Sequence, residues 1–106
     1  MLDDFLTFGK SGLRVSRYAL GAFNFGGQQP WSLDAQAAGR LIARYRDLGG
    51  NLLDCANSYG GGEAEAILGD YLAAEPGARD RMVVATKFGS NVRDGDPNAG
   101  GGGRKS

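Results

Sequence analysis

Residues 49–72, GGNLLDCANSYGGGEAEAILGDYL, decide the fold. They open on a glycine pair suited to ending a helix, because glycine takes the left-handed cap conformation cheaply. NLLDCA, residues 51–56, is a short apolar run with an acid near its end, the pattern of a strand. After a loop carrying Tyr59 and three glycines, Ala64, Ile67, Leu68, Tyr71 and Leu72 recur at spacings of three and four. That is one face of a helix. Glu63 and Glu65 suit its positive end, and Glu75-Pro76-Gly77 stops it.

Working outward gives the same alternation. FLTFGKSGLRVSRY (5–18) reads as two extended pieces around a GKSG turn, a hairpin. RYALGAFNFGG (17–27) reads as an apolar strand ending in glycines. Leu33, Ala37, Leu41, Tyr45 and Leu48, with Ile42 beside them, form a helix face. Ser32 is expected to cap this helix and Asp34 to stand in its first turn. RMVVATKFG (81–89) is a third strand, and RDGDPNAGGGGRKS (93–106) is loop. Units of roughly thirty residues match the βαβ period and imply a parallel α/β sheet. Three such strands fit a doubly wound sheet and a barrel equally.

Composition narrows the function. The chain has 106 residues, one small domain. Twelve basic and twelve acidic residues cancel, and no dense basic run exists, which argues against nucleic acid and an anionic membrane surface. No apolar run approaches the roughly 18 residues of a membrane span, and MLDDFLTFGK is not a secretory signal. Cys55 is alone, which suits a reducing, cytoplasmic setting; it reads as core filler. There is no histidine, so the commonest general base and metal ligand is missing, and no metal site is expected. The glycines at 60–62 read as a tight turn, since no phosphate-loop lysine follows.

Strand ends carry the chemistry of α/β folds. Asp54 and Lys87 lie near the ends of the second and third strands, and Tyr59 lies in the loop beyond the second. Strand alternation turns Asp54 inward with Leu52, and Lys87 inward with Val83 and Ala85, while Leu53 and Cys55 face helices. A phenol titrates near ~10 in water, so donating its proton near neutrality needs a stabilised phenolate. An ammonium supplies that stabilisation, and a carboxylate keeps the ammonium in place. Lowering the phenol by two or three units asks for roughly 3–4 kcal/mol, which a desolvated pair supplies and an exposed one does not.

These residues resemble those of the aldo-keto reductases. FGKSGLRVS (8–16) is similar to that family's opening hairpin, and LGAFNFGG (20–27) to its first strand. Residues 49–72 carry its D-x-A-x-x-Y-G signature, VVATKFG (83–89) its third strand and lysine, and DPNAGGGGRK (96–105) the loop to its third helix. The resemblance implies a (β/α)8 barrel of the TIM type. This chain would supply the hairpin, about three parallel strands and two helices, with the barrel not closed. Residues 1–92 would form that part and 93–106 a glycine-rich tail.

The resemblance also implies an NADP(H)-dependent oxidoreductase acting on a small carbonyl substrate. Tyr59 would be the acid, Lys87 would tune it, and Asp54 would pair with the lysine near the nicotinamide ribose. Ala22 and Phe23 would approach the nicotinamide. Gln28 is a candidate through the potassium-channel β-subunit branch, to which the chain looks closer. The family's fourth catalytic residue, a histidine after strand four, and its 2′-phosphate grip have no counterpart here. Cys55 stands where threonine is frequent, and Ala64 where a serine is frequent; if that serine is a cap, Gly62 is expected to serve instead. The reading is an N-terminal reductase portion without turnover on its own, completed by a C-terminal portion or associating with itself. The alternatives are an NADPH-binding sensor or accessory subunit, and a remnant without activity.

Overall fold

The structure, a computed structural model, describes residues 1–98. Most of the expected 93–106 tail therefore lies outside the described residues. β1 (Leu6–Thr7) and β2 (Arg14–Val15) form the antiparallel hairpin, with Leu6 opposite Val15. The Phe8 N–H donates to the Leu13 carbonyl at 2.7 Å to close the turn. β3 (Leu20–Gly21), α1 (Ala35–Asp47), β4 (Leu52–Asp54), α2 (Glu63–Ala74), α3 (Ala78–Arg81) and β5 (Val83–Ala85) follow.

β3, β4 and β5 are parallel, with β4 in the centre. Gly21, Asp54 and Ala85 stand in register. The ladder continues past the strand ends, because the Cys55 N–H donates to the Ala85 carbonyl at 2.7 Å and the Asn57 N–H to the Lys87 carbonyl at 3.0 Å. Among the described residues no further strand joins β3 or β5, so the sheet is an open arc and not a closed barrel.

Alternation along β4 holds. Leu53 and Cys55 are fully buried against Ala38, Ile42, Ala64 and Leu68 of the two long helices, while Leu52 and Asp54 face the other way. Fully burying a leucine contributes roughly 1.5–3 kcal/mol, so the helix side of the sheet holds the fold. The inner side is a shallow cavity of about 430 Å³ lined by Leu52, Val83 and Ala85, with Phe8, Leu13 and Val15 of the hairpin across its lower end. The hairpin is fastened there by Asn51, whose Oδ1 accepts from the Ser16 N–H at 2.8 Å and whose Nδ2 donates to the Arg14 carbonyl at 3.0 Å.

Three local expectations need correction. The buried face of α1 is Ala38, Ile42 and Tyr45, whereas Leu41 is exposed. The Tyr45 hydroxyl fixes this rotation by donating to the Tyr18 carbonyl at 2.7 Å and accepting from the Leu52 N–H at 3.1 Å. Asp34, not Ser32, caps α1, accepting from the Ala37 N–H at 2.8 Å. Ser32 instead closes the preceding turn, accepting from the Gln29 N–H at 3.2 Å. Finally, Arg81, expected in the third strand, belongs instead to a short helix, and β5 spans only Val83–Ala85. Gly77 (φ +73) starts the one-turn helix α3, which buries Ala78 and leads to buried Met82. No helix among the described residues is long and apolar enough to cross a membrane.

Candidate active site

The extended ladder brings three predicted residues to one rim. The Lys87 ammonium donates to Asp54 Oδ1 at 2.7 Å, to the Cys55 carbonyl at 2.7 Å and, at the long distance of 3.4 Å, to the Tyr59 hydroxyl oxygen. An ammonium has three protons, and three acceptors meet them. Tyr59 accepts in this contact, so its own proton is not used by it. The ammonium also lies 5.1 Å from the Tyr59 ring centroid. Asn57 fixes the approach, holding the Lys87 carbonyl through its backbone and donating from Nδ2 to the Ser90 carbonyl at 2.9 Å.

Tyr59 is presented by a turn of the 3-10 type, Tyr59–Gly62. Gly60 (φ +59) lies against the loop after β3, where a Cβ would stand 2.6 Å from the Phe25 carbonyl oxygen. That loop is tied back from the other side, since Glu63 Oε2 accepts from the Gly27 N–H at 2.9 Å. Glu63 thus holds two loops together as well as suiting the positive end of α2. The helix-start pattern was visible in the sequence; the partner of Glu63 was not, because Gly27 is 36 residues away.

The Asp54 carboxylate pushes the Lys87 ammonium above the ordinary lysine value; desolvation opposes it, and Tyr59 adds to the upward push. The pair is less sheltered than the chemistry was expected to require: the Lys87 side chain is 51% exposed and that of Asp54 42%. Solvent screens a pair this open. Among the described residues no further strand joins β3 or β5 to cover this rim.

The predicted cofactor contacts divide. Ala22 is in the core, with its N–H donating to the Asp54 carbonyl and its carbonyl accepting from the Phe25 N–H. It presents no side chain to the rim. Phe23 does: its ring meets the Tyr59 ring edge-on at 5.2 Å and 81°. Trp31 stacks on Phe23 at 5.4 Å and 14°. Gln28 is exposed and lines, with Phe23, Trp31 and Tyr59, a cleft of about 510 Å³. Cys55 is buried in the core, and burial raises its thiol above the usual value.

Comparison with known proteins places this geometry. Residues 17–106 match the aldo/keto reductase family. Aldo-keto reductase ausK of Emericella nidulans is 40% identical over 88 residues, covering 78% of this chain and 21% of that protein. An uncharacterized 11.2 kDa protein encoded in the crtE 3′ region of Pseudescherichia vulneris is 34% identical, covering 82% of this chain and 87% of that one. The solved holo form of a Bacillus halodurans aldo-keto reductase superposes with a TM-score of 0.71 at 29% identity, covering 88% of this chain and 28% of that one. The chain spans about a fifth of the curated reductases it matches first, 21%, 23% and 22% of their lengths. None of these matches assigns it to the channel β-subunit branch. The family generally uses NADP(H) and acts on small carbonyl substrates. The chain belongs to the aldo/keto reductase family.

Proposed function

We propose that this chain carries the proton-donating part of an NADP(H)-dependent carbonyl reductase. The single observation behind this reading is the contact of one ammonium with both the Asp54 carboxylate and the Tyr59 hydroxyl oxygen. In this reading the Tyr59 proton goes to the carbonyl oxygen as that oxygen becomes an alkoxide. The charge left on Tyr59 is stabilised by the Lys87 ammonium, and Asp54 holds the ammonium in place.

The open side of the rim supports a nicotinamide site in this reading. Gly21 is the register partner of Asp54, and nothing lies within 4 Å of where its Cβ would stand. On the Gly21 side of the carboxylate the mouth is therefore open. Phe23, Gln28 and Asp54 are the residues that would hold the nicotinamide end of the cofactor; Ala22 would support them from the core. When bound, the reduced nicotinamide supplies the hydride that goes to the carbonyl carbon.

Turnover needs a wall across the inner face, because the half-exposed Lys87–Asp54 pair is screened by water. The isolated chain is therefore inactive in this account, and a complementing C-terminal portion restores the reaction. The test is a fusion of the chain to the later barrel units of the matched Bacillus halodurans reductase. The fusion is expected to oxidise NADPH in the presence of a carbonyl compound, while the chain alone does not. A folded fusion that binds NADPH and reduces no carbonyl would contradict this reading and favour a sensor or accessory subunit.

A further inference from the structure

One edge of β5 is satisfied and the other is not. The Val83 N–H donates to the Asn51 carbonyl at 2.7 Å, and the Ala85 and Lys87 carbonyls accept from Cys55 and Asn57. Residues 83, 85 and 87 therefore direct backbone groups at β4. Alternation turns those of Val84 and Thr86 the opposite way, where no strand pairs with β5 among the described residues. An open edge of this kind is a template for another strand, and Val83–Thr86 carries neither proline nor charge to blunt it.

Beside this edge lies an apolar hollow of about 350 Å³, walled by Leu68, Leu72 and Val84. Its α2 side is low at Gly69, where a Cβ would meet nothing within 4 Å. The two ends of the hollow carry opposite charges. Just past β5, Glu65 accepts from the Thr86 hydroxyl at 2.5 Å. Just before β5, Arg79 donates to the Met82 carbonyl at 3.3 Å. Among the described residues neither charge is in an ion pair.

We propose that the 106-residue chain pairs with a second copy of itself, β5 against β5, antiparallel about a twofold axis at Val84. Thr86 of each copy then stands opposite Met82 of the other, which brings each Glu65 to an Arg79. A twofold contact repeats every interaction, so this complementary pair occurs twice. A parallel approach would set Glu65 against Glu65 and Arg79 against Arg79. A carboxylate accepts at both oxygens and a guanidinium has five N–H donors, so the bonds to Thr86 and Met82 survive the pairing. Leu68, Leu72 and Val84 of the two copies close the hollow from both sides. The proposal does not rest on the reading of Tyr59.

The test is sedimentation of the 106-residue chain across a concentration series. The mass is expected to reach about twice 11.1 kDa at high concentration and to fall toward 11.1 kDa on dilution. Hydrogen exchange of the Val84 and Thr86 amides is expected to slow as concentration rises, with the Leu53 amide of the central strand unchanged. Glu65→Arg and Arg79→Glu each oppose like charges twice, and each is expected to weaken pairing about tenfold. The two together are expected to return it to within about threefold of wild type. Both positions are exposed, circular dichroism checks that the variants fold, and the exchange comparison needs no variant. A chain still monomeric at about 1 mM, Val84 and Thr86 protection that ignores concentration, pairing indifferent to either single reversal, or a double variant no better than the singles overturns the proposal.

Discussion

Lys87 donates to Asp54 Oδ1 at 2.7 Å although the two lie 33 residues apart. They meet because the β4–β5 ladder continues through Cys55 and Asn57 to the Lys87 carbonyl, aligning both side chains at the same end of the sheet.

Breaking this pair has a defined sign. The folded-state value of Lys87 is raised by Asp54, so the pairing contributes stability that is fully present below the unfolded lysine value of about 10.4 and is lost as pH rises through the higher folded value. Asp54→Asn is expected to lower the Lys87 titration point in ¹⁵N NMR of Nζ. It should also flatten any decline in urea stability above about pH 10. The stability effect is small because the pair is half exposed. An unchanged Lys87 titration in Asp54→Asn contradicts the pairing.

The turn that presents Tyr59 makes a sharper demand. Gly60 and Gly61 both have positive φ, +59 and +66. A side chain costs about 1–2 kcal/mol in that conformation. At Gly60 a Cβ also meets the Phe25 carbonyl oxygen at 2.6 Å, whereas at Gly61 it meets nothing within 4 Å. Urea unfolding should therefore show Gly60→Ala losing clearly more than Gly61→Ala. Equal losses argue that the two loops are not in contact.

The rotation of α1 is open to the same kind of comparison. Ile42 is fully buried and Leu41 is 40% exposed. Ile42→Ala is expected to cost about 2–5 kcal/mol, and Leu41→Ala below about 1 kcal/mol. The reverse order in denaturant melts would restore the face that the apolar spacing suggested.

Asn51 ties the hairpin to the sheet through Ser16 and Arg14. In Asn51→Ala the bonded Ser16 amide should lose hydrogen-exchange protection, with the Leu53 amide of the central strand less affected. Protection of Ser16 that is unchanged from wild type would show that packing alone holds the hairpin.

Much of this was legible in the sequence for a physical reason: periodicity reports which side of an element is buried. The βαβ order, the inward turn of Asp54 and the outward turn of Leu53 all follow from alternation along short strands. Ser32 and Asp34 were not separable in this way. Both residue types cap helices, and the choice was made by the turn that occupies the Ser32 hydroxyl. Leu41 was placed on the buried face because spacing cannot see the Tyr45 hydroxyl bonds that set the helix rotation. At the site, Asp54, Tyr59 and Lys87 were readable from strand ends, and the resemblance gave them roles. The Phe23–Trp31 stack was not readable, because it depends on a loop folded by backbone bonds to Leu33 and Asn24. Nor was the exposure of the ion pair, which is set by how much wall surrounds it.

The central claim is that Tyr59 gives its proton to a carbonyl oxygen. Its most direct measurement is kcat for NADPH-dependent ketone reduction by the completed barrel, with Tyr59→Phe beside wild type and NADPH affinity measured for both. The account predicts a fall in kcat of about 10²–10⁴-fold with little change in NADPH affinity. A Tyr59→Phe barrel that binds NADPH normally and keeps most of the wild-type kcat would contradict it.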